Sequence, residues 1–274
     1  MSGPIITLTT DFGLDDCYVG VMKGVILSSN PAARIIDLCH TVGPQDVLQA
    51  AYLIHANFSY FPEGTLHLVI VDPGVGSDRK IILATACNHL FLVPDNGVLS
   101  PFLKRNQITA AFSTAREDLY LSPTSQTFHG RDIFAPLAAF LTKGNPPETI
   151  GPEYDTAELI ALDLPTSRVD AAKATITGTI IHIDRFGNST TNITLHEIGI
   201  LNSPPESLEL TIANHTITGL QANYTATAAG KPLLIINSQN LLEIAVNRGS
   251  AQNRLNLSLY DTVSLRITAK AARP

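Results

Sequence analysis

The chain has 274 residues, of which 45% are hydrophobic and 15% are charged, and its formal net charge is −6. This composition supports a sizeable core and argues against a disordered chain, while the negative charge argues against a nucleic-acid partner. The three cysteines, Cys17, Cys39 and Cys87, lack CxxC spacing, so neither a disulfide framework nor a structural zinc site is expected.

The start of the chain is strand-like, reading IITLTT, and carries neither a charged leader nor a long apolar segment. No apolar run elsewhere approaches the roughly 20 residues that a membrane-spanning helix needs. We therefore expect a soluble, cytoplasmic protein that has no membrane partner.

Residues 1–164 alternate between strand-like and helix-like segments. In chain order the predicted elements are the strand PIITLTTDF, the helix YVGVMKGVILSSNP, the strand ARIIDLCH, the helix PQDVLQAAYLIHANFSYFP, the strands TLHLVIVD, RKIILATAC and HLFLVPDNGVL, and the helix GRDIFAPLAAFLTKG. This alternation predicts an α/β N-terminal domain, a layered sandwich around a mainly parallel sheet.

The rest of the chain has a different sequence pattern. Residues 165–173 are polar and contain a proline, which predicts a linker. Residues 174–274 contain short β-type runs separated by Gly, Asn and Pro, among them ATITGTIIHIDRFGN, SLELTIANHTITGL, KPLLIINSQNLLEIAVN and DTVSLRITAK. They predict a smaller, all-β C-terminal domain, with a barrel as the expected form.

Polar side chains collect where the predicted strands of the first domain end. They are Asp11, His40, Asp72, Asp95 and Asn96. Ligands of open α/β sheets bind beyond the carboxyl ends of the strands, so this pooling indicates a pocket there. For any one of these residues the simpler interpretation is a helix cap or a turn former.

A metal-dependent hydrolase is an open alternative at this point. Asp11, Asp15, Asp16, Asp72 and His129 could supply ligands, but no HxH or HExxH spacing concentrates them.

Five motifs occur in order along the chain: TLTTDFG, VDPGVGSDR, FHGRDIFAP, DRFGNSTTN and INSQNLLEIAVNRGSA. Together they resemble the S-adenosylmethionine (SAM) hydrolase family, also called SAM hydroxide adenosyltransferases, which are relatives of the SAM-dependent fluorinase and chlorinase. The resemblance implies an N-terminal α/β sandwich, a C-terminal β-barrel, and the reaction of SAM with water to give adenosine and L-methionine. It implies no cofactor and no metal, because SAM is the substrate.

The resemblance also implies a catalytic trio, which falls here on Asp72, Arg79 and His129. The glycine-rich turn PGVGS would let Arg79 return towards the strand end that carries Asp72. The three groups could then act on one water molecule, with either Asp72 or His129 accepting its proton. The simpler interpretation is an Asp–Arg ion pair that closes the turn, with His129 next to a helix N-terminus.

Further residues match the family's substrate contacts. The resemblance implies that Asp11 binds the ribose hydroxyls, Asp16 the methionine ammonium, and Ser238 the methionine carboxylate. The remaining implied substrate-binding residues are Phe128, Asp184, Phe186, Asn188, Glu243, Asn247 and Arg248. For Phe186 a place in the barrel core, and for Asn188 a role in a turn, are the alternatives.

The family resemblance implies a homotrimer whose sites lie between the N-terminal domain of one subunit and the C-terminal domain of the next. Gln45, Gly130 and Asp72 differ from the fluorinase pattern and favour water over fluoride, although glycine at position 130 also occurs in the chlorinase. A chloride-using halogenase and a protein that binds SAM or adenosine without turnover therefore stay open beside the hydrolase.

Overall fold

The computed structural model describes residues 3–268. The chain divides into two compact units, residues 1–164 and residues 165–274, and each unit has its own hydrophobic core. None of the helices described between residues 3 and 268 is long and apolar enough to cross a bilayer.

The first unit alternates strands and helices largely as its sequence predicts. The elements are β1 Ile5–Thr10, α1 Tyr18–Ser29, β2 Arg34–Cys39, α2 Val47–Asn57, β3 Leu66–Ile70, β4 Ile81–Ala86, β5 His89–Pro94, α3 Ser100–Lys104, β6 Ile108–Ser113 and α4 Ala135–Leu141. A π-helical turn, Gly130–Phe134, leads directly into α4. The strand β6 and the short helix α3 were not predicted.

The strands of this unit form a mixed sheet in the order β2-β1-β3-β5-β4-β6. Strands β2, β1, β3 and β5 pair in parallel, whereas β4 pairs antiparallel with both β5 and β6. Because β1 and β3 are parallel neighbours, with Thr10 opposite Ile70, the residues that follow these two strands emerge at the same edge of the sheet.

Both faces of the sheet are covered by helices, which explains why β3 is buried throughout and apolar except for His67. Leu66 and Leu68 belong to the core that contains residues of α1 and α4. Val69 belongs to the opposite core, which contains residues of α2 and α3. Successive side chains of a strand point to opposite faces, so a strand between two helical layers is buried on both faces and mostly apolar.

The second unit is mostly β-structure. Its elements are β7 Arg168–Asp170, β8 Thr175–Ile183, β9 Ser189–Thr194, α5 Leu195–Ile200, β10 Leu208–Ile212, β11 His215–Thr218, β12 Leu220–Gln221, β13 Pro232–Ile236, β14 Leu241–Val246, α6 Ala251–Leu255 and β15 Thr262–Ile267. The strands follow the order β11-β10-β15-β8-β9-β14-β13-β12, and β7 pairs with β8. Strand β11, at one end of this order, contacts β13 near the other end, so the sheet is barrel-like and nearly closed.

The segment predicted as a linker, residues 165–173, belongs to the second unit instead. Three of its residues form β7, in which Val169 pairs with Ile176 of β8. A three-residue strand between polar neighbours has too short a pattern to be recognised in the sequence. The last part of the predicted C-terminal domain, residues 269–274, lies outside the described residues.

Candidate active site

The predicted trio is assembled in the first unit. The Nε atom of Arg79 donates to both carboxylate oxygens of Asp72, at 3.1 and 2.8 Å, and its Nη2 donates to Oδ2 at 2.5 Å. The same Nη2 donates to Nδ1 of His129 at 2.9 Å. Arg79 therefore joins a carboxylate and an imidazole that are far apart in the sequence.

The local sequence explains how these three residues meet. Asp72 follows β3 and His129 immediately precedes the π-helical turn, while Arg79 returns through the turn at residues 73–77. Gly76 has a φ of +79°, and a Cβ atom there would lie 2.5 Å from the carbonyl oxygen of Gln126. Only glycine fits this close approach between the turn and the segment that leads to His129.

The pair of Asp72 and Arg79 is largely shielded from solvent, with side chains 5% and 9% exposed. His129 is also buried. Burial lowers the pKa of His129, the charge of Arg79 lowers it further, and the charges of Asp72 and Asp132 oppose this shift. The ring is therefore neutral at pH 7. Since a guanidinium can only donate, Nδ1 is the acceptor and the hydrogen is on Nε2.

Asp72 and His129 form part of the wall of a cleft of about 370 Å³ in the first unit. Other residues that line it are Asp11, Phe12, Tyr18, Gln45, Phe128 and Gly130. Oδ2 of Asp11 accepts a hydrogen bond from the backbone N–H of Gln45 at 2.8 Å. The cleft thus combines two carboxylates and an imidazole with an apolar surface, as expected of a small-molecule site.

An aromatic cluster lines this cleft. The ring of Phe128 lies 6.1 Å from that of Phe12 and 5.2 Å from that of Tyr18, and the Phe12 and Tyr18 rings are 5.7 Å apart. Phe128 was predicted as a site residue, but Phe12 and Tyr18 were not. Phe12 follows Asp11 after the end of β1, so its position in the sequence could have indicated a cleft residue. Tyr18 is the first residue of α1, and nothing in its local sequence distinguishes it from the first residue of any other helix.

Asp16 and the predicted strand-end residues Asp95 and Asn96 are not among the described residues that line the cleft. Asp16 is exposed. Asp95 accepts a hydrogen bond from the backbone N–H of Ile160, and Asn96 donates to the carbonyl oxygen of Val71. Both side chains therefore bind the backbone of distant segments, and Asn96 also accepts from the backbone N–H of Val98, which is the turn-forming role that the sequence allowed. Within residues 3–268, no group of three or more His, Cys, Asp or Glu residues is arranged to hold a metal ion.

In the second unit, Asp184 organises the turn DRFGN. Its Oδ1 accepts hydrogen bonds from the backbone N–H groups of Phe186 and Asn188, and its Oδ2 accepts one from the Asn188 side chain at 3.0 Å. Asn188 therefore has the turn-forming contact that was its alternative interpretation. Phe186 is 74% exposed, so the alternative that placed it in the barrel core is wrong.

A buried carboxylate lies near this turn. Glu243 is 5% exposed and accepts a hydrogen bond from the hydroxyl of Tyr224 at 2.8 Å. Burial raises the pKa of Glu243, hydrogen bonds from Tyr224 and Asn237 oppose the shift, and the charge of Asp184 adds to it. Burial and the neighbouring carboxylates raise the pKa of Tyr224 to about 12. Tyr224 was not predicted, because its partner lies 19 residues away.

The remaining predicted residues of the second unit differ in exposure. Asn247 is buried and its side chain donates to the carbonyl oxygen of Thr227 at 2.7 Å. Ser238 and Arg248 are exposed, and Arg248 has a φ of +56°.

Two family models match the chain. The SAM hydroxide adenosyltransferase N-terminal domain matches residues 6–151, and the corresponding C-terminal domain matches residues 178–264. The chain belongs to the SAM hydroxide adenosyltransferase family. The resemblance deduced from the five sequence motifs is thereby confirmed.

Individual relatives agree with this assignment. The chain is 36% identical to the (R)-S-adenosyl-L-methionine hydrolase of Salinispora arenicola, over 98% of this chain and 99% of the relative. It is 34% identical to the enzyme of the same name from Thermus thermophilus, over 90% and 94% of the two chains. A crystal structure of an uncharacterized conserved protein from Thermotoga maritima superimposes with a TM-score of 0.87 and 33% identity, covering 95% of this chain and 99% of that one.

Proposed function

We propose that the protein hydrolyses SAM to adenosine and L-methionine by in-line attack of water on ribose C5′. The observation that carries this proposal is the contact of Arg79 with both Asp72 and His129, two residues in the wall of one cleft. Membership of the SAM hydroxide adenosyltransferase family, and relatives named as SAM hydrolases over nearly their full length, support the same reaction.

The proposed step is a substitution at carbon. The oxygen of water forms a bond to C5′ while the bond from C5′ to sulfur breaks, and the electron pair of that bond goes to sulfur. A proton of the water passes to a base, leaving adenosine with a 5′-hydroxyl and methionine as a neutral thioether. Bulk water has a pKa of about 15.7 and is a weak nucleophile, so this proton transfer is the part that protein groups would assist.

We assign the role of base to Asp72. The Nδ1 lone pair of His129 accepts from Arg79, which leaves Nε2–H as a donor when the ring is neutral. In this assignment His129 donates to the water oxygen and Asp72 accepts the proton. Arg79 touches both groups and would fix their geometry rather than contact the substrate.

The substrate roles are also part of the proposal. Asp11, in the cleft wall, would accept hydrogen bonds from the ribose hydroxyls, and the aromatic side chains of Phe12, Tyr18 and Phe128 would face the nucleoside or its sulfonium. The resemblance assigns Asp16 to the methionine ammonium. It assigns the other contacts to the second unit, in Asp184, Phe186, Asn188, Ser238, Glu243, Asn247 and Arg248.

The decisive experiment is product analysis after incubation of the purified protein with SAM. Equal amounts of adenosine and methionine are expected, and in water labelled with heavy oxygen the label should appear in adenosine. Binding of SAM without product would identify a non-catalytic binder and refute hydrolysis. A parallel reaction in chloride buffer is expected to give adenosine, whereas 5′-chloro-5′-deoxyadenosine would identify a halogenase.

The reaction as proposed uses no cofactor besides the substrate. We therefore expect EDTA to leave the rate unchanged. Activity that disappears with EDTA and returns with a divalent ion would favour the metal-dependent hydrolase instead.

The proposal extends to assembly and location, which the family resemblance suggests. We propose a cytoplasmic homotrimer in which the second unit of one subunit completes the cleft of its neighbour. Light scattering should then give three times the chain mass of 29.4 kDa. A monomer with full activity would contradict this assembly.

A further inference from the structure

His40 was singled out by the sequence because it follows a predicted strand, yet it is not a cleft residue. It is 4% exposed and lies at the end of β2, with its Nε2 atom 3.0 Å from Oδ1 of Asp37. Lys23 donates to the other oxygen of Asp37 at 2.6 Å. Although partial burial raises the pKa of Asp37, hydrogen bonds from His40 and Lys23 keep it below its usual value. Asp37 is therefore a carboxylate that orients the imidazole.

The opposite nitrogen of the ring faces β1. Nδ1 of His40 lies 2.9 Å from the hydroxyl of Thr10, which is fully buried. Because the Asp37 carboxylate can only accept, Nε2 carries the hydrogen in the neutral ring and Nδ1 accepts from Thr10. The Thr10 oxygen in turn accepts from the backbone N–H of Phe12 at 3.2 Å. These contacts connect Phe12 to His40 through the hydroxyl of Thr10.

The backbone of His40 also contacts this segment. Its carbonyl oxygen accepts a hydrogen bond from the backbone N–H of Gly13 at 2.8 Å. One buried residue thus holds residues 10–13 at two points, directly through Gly13 and indirectly through Thr10. The segment between these points contains Asp11 and Phe12, both of which line the cleft.

We propose that His40 is a positioning residue, which acts through Thr10 to fix the orientation of Asp11 and Phe12 in the cleft. The inference rests on the proposed function, in which Asp11 contacts the ribose. It predicts that breaking the contact between Thr10 and His40 weakens nucleoside binding without removing any group that touches the substrate. The chemical step, which depends on Asp72, Arg79 and His129, should be affected little.

The same strand provides a matched control. Thr7, also fully buried on β1, lies 2.7 Å from Nδ1 of another buried histidine, His67. Thr7→Val and Thr10→Val therefore make the same chemical change on one strand, and each breaks one Thr–His contact. Only Thr10 also contacts the cleft segment, through the N–H of Phe12.

The test measures adenosine affinity by calorimetry, SAM turnover, and hydrogen exchange at the Phe12 amide by NMR. For Thr10→Val we expect the adenosine Kd and the KM for SAM to rise about fivefold, with kcat within about twofold, as the loss of one or two hydrogen bonds predicts. Exchange at Phe12 should accelerate. Thr7→Val, and Thr10→Ser, which keeps the hydroxyl, should match the wild type in Kd and KM.

Equal rises in Kd for Thr7→Val and Thr10→Val, or a wild-type Kd in Thr10→Val, would overturn the inference. If Thr10→Val does not fold, His40→Gln replaces it. The amide nitrogen of glutamine can take the place of Nε2 beside Asp37, but no atom takes the place of Nδ1, the acceptor for Thr10. An unchanged Kd in His40→Gln would also overturn the inference. Rapid hydrogen exchange at the Phe12 amide of the wild type would also overturn the inference. If the wild type binds adenosine but does not hydrolyse SAM, the proposed function fails, and the Kd and exchange measurements still decide the role of His40.

Discussion

The Nη2 atom of Arg79 donates to Nδ1 of His129 across 2.9 Å. A guanidinium has no acceptor, so this hydrogen bond exists only while Nδ1 is unprotonated. Protonation of His129 would replace the bond with a contact between two cations. The proposed arrangement of the trio is therefore sensitive to acid.

This contact predicts the acid limb of the pH profile. Burial and the charge of Arg79 lower the pKa of His129 from its ordinary value of 6.5, so neutral His129 persists below that pH. We expect kcat/KM for SAM hydrolysis to be flat from pH 8 down to 6.5 and to fall only at more acidic pH. A rate profile that already declines above pH 6.5 would contradict this assignment.

Replacing Arg79 by lysine should separate positioning from binding. A lysine ammonium can pair with Asp72, but it lacks the planar fork that also reaches His129. We expect Arg79→Lys to lower kcat about 100-fold, on the scale of losing one preorganised donor, with adenosine affinity within about twofold of the wild type. Rate and affinity would be measured on the same preparation.

The control is Arg116→Lys. Arg116 also binds an aspartate with two hydrogen bonds, to Asp118 at 2.8 and 2.7 Å, but on the exposed surface of the same unit. The Arg116→Lys substitution should leave kcat unchanged. Equal losses in the two variants would mean that the effect of Arg79→Lys is not specific to the trio.

The turn between Asp72 and Arg79 can be tested at one glycine. Gly76→Ala adds a Cβ atom 2.5 Å from the carbonyl oxygen of Gln126, so the turn and the segment leading to His129 must separate. We expect kcat to fall at least 10-fold and the free energy of unfolding to fall by about 2 kcal/mol or more.

Gly64→Ala is the matched control for this change. Gly64 has nearly the same φ, +78°, but no atom lies within 4 Å of an added Cβ. The Gly64→Ala substitution should lower the free energy of unfolding by about 1 kcal/mol and leave kcat unchanged. Full activity in Gly76→Ala would show that the close approach to Gln126 is not needed for the reaction.

Buried histidines predict how stability depends on pH. His67 is fully buried, and burial together with the charge of His89 lowers its pKa to about 3. Below pH 6.5 the unfolded chain takes up a proton that folded His67 does not. Above pH 6.5 the titration of His67 should therefore add no pH dependence to the free energy of unfolding. As the pH drops from 6.5 towards 3, this free energy should fall by roughly 1 kcal/mol per pH unit.

Urea titrations at several pH values would measure this slope. His67→Gln should reduce the slope below pH 6.5, whatever it does to stability at pH 7. An identical slope in the wild type and the variant would rule out His67 as a source of the pH dependence.

The sequence predicts much of the first unit because its signals are local. The run of apolar residues in β3 and the helical spacing in α1 each lie within a dozen residues, and two of the five motifs contain the predicted trio, whose members are in contact. The strand ends were correctly expected to gather Asp11 and Asp72. Which strand-end residues face the cleft was not predictable, because Asp95 and Asn96 have the same pattern but bind backbone groups instead.

The features that were missed depend on contacts between distant residues. Tyr224 meets Glu243, and Thr10 meets His40, only in the folded chain. Short elements such as β7 and α5 gave no periodic pattern of sufficient length, and they form because neighbouring strands or a capping side chain hold them. Thr194 and Glu197 form the capping box of α5, a signal that the sequence contained and that was overlooked.

The bidentate bond between Asp72 and Arg79 has an electrostatic consequence for a positively charged substrate. The guanidinium and the carboxylate cancel each other at short range, so the wall that approaches a sulfonium carries no net repulsion from the arginine. After methionine leaves as a thioether, the paired Asp72 and Arg79 add no net charge that would retain either product. An electroneutral pair of this kind lets one surface tolerate a sulfonium on entry and release products without a charged sulfur on exit.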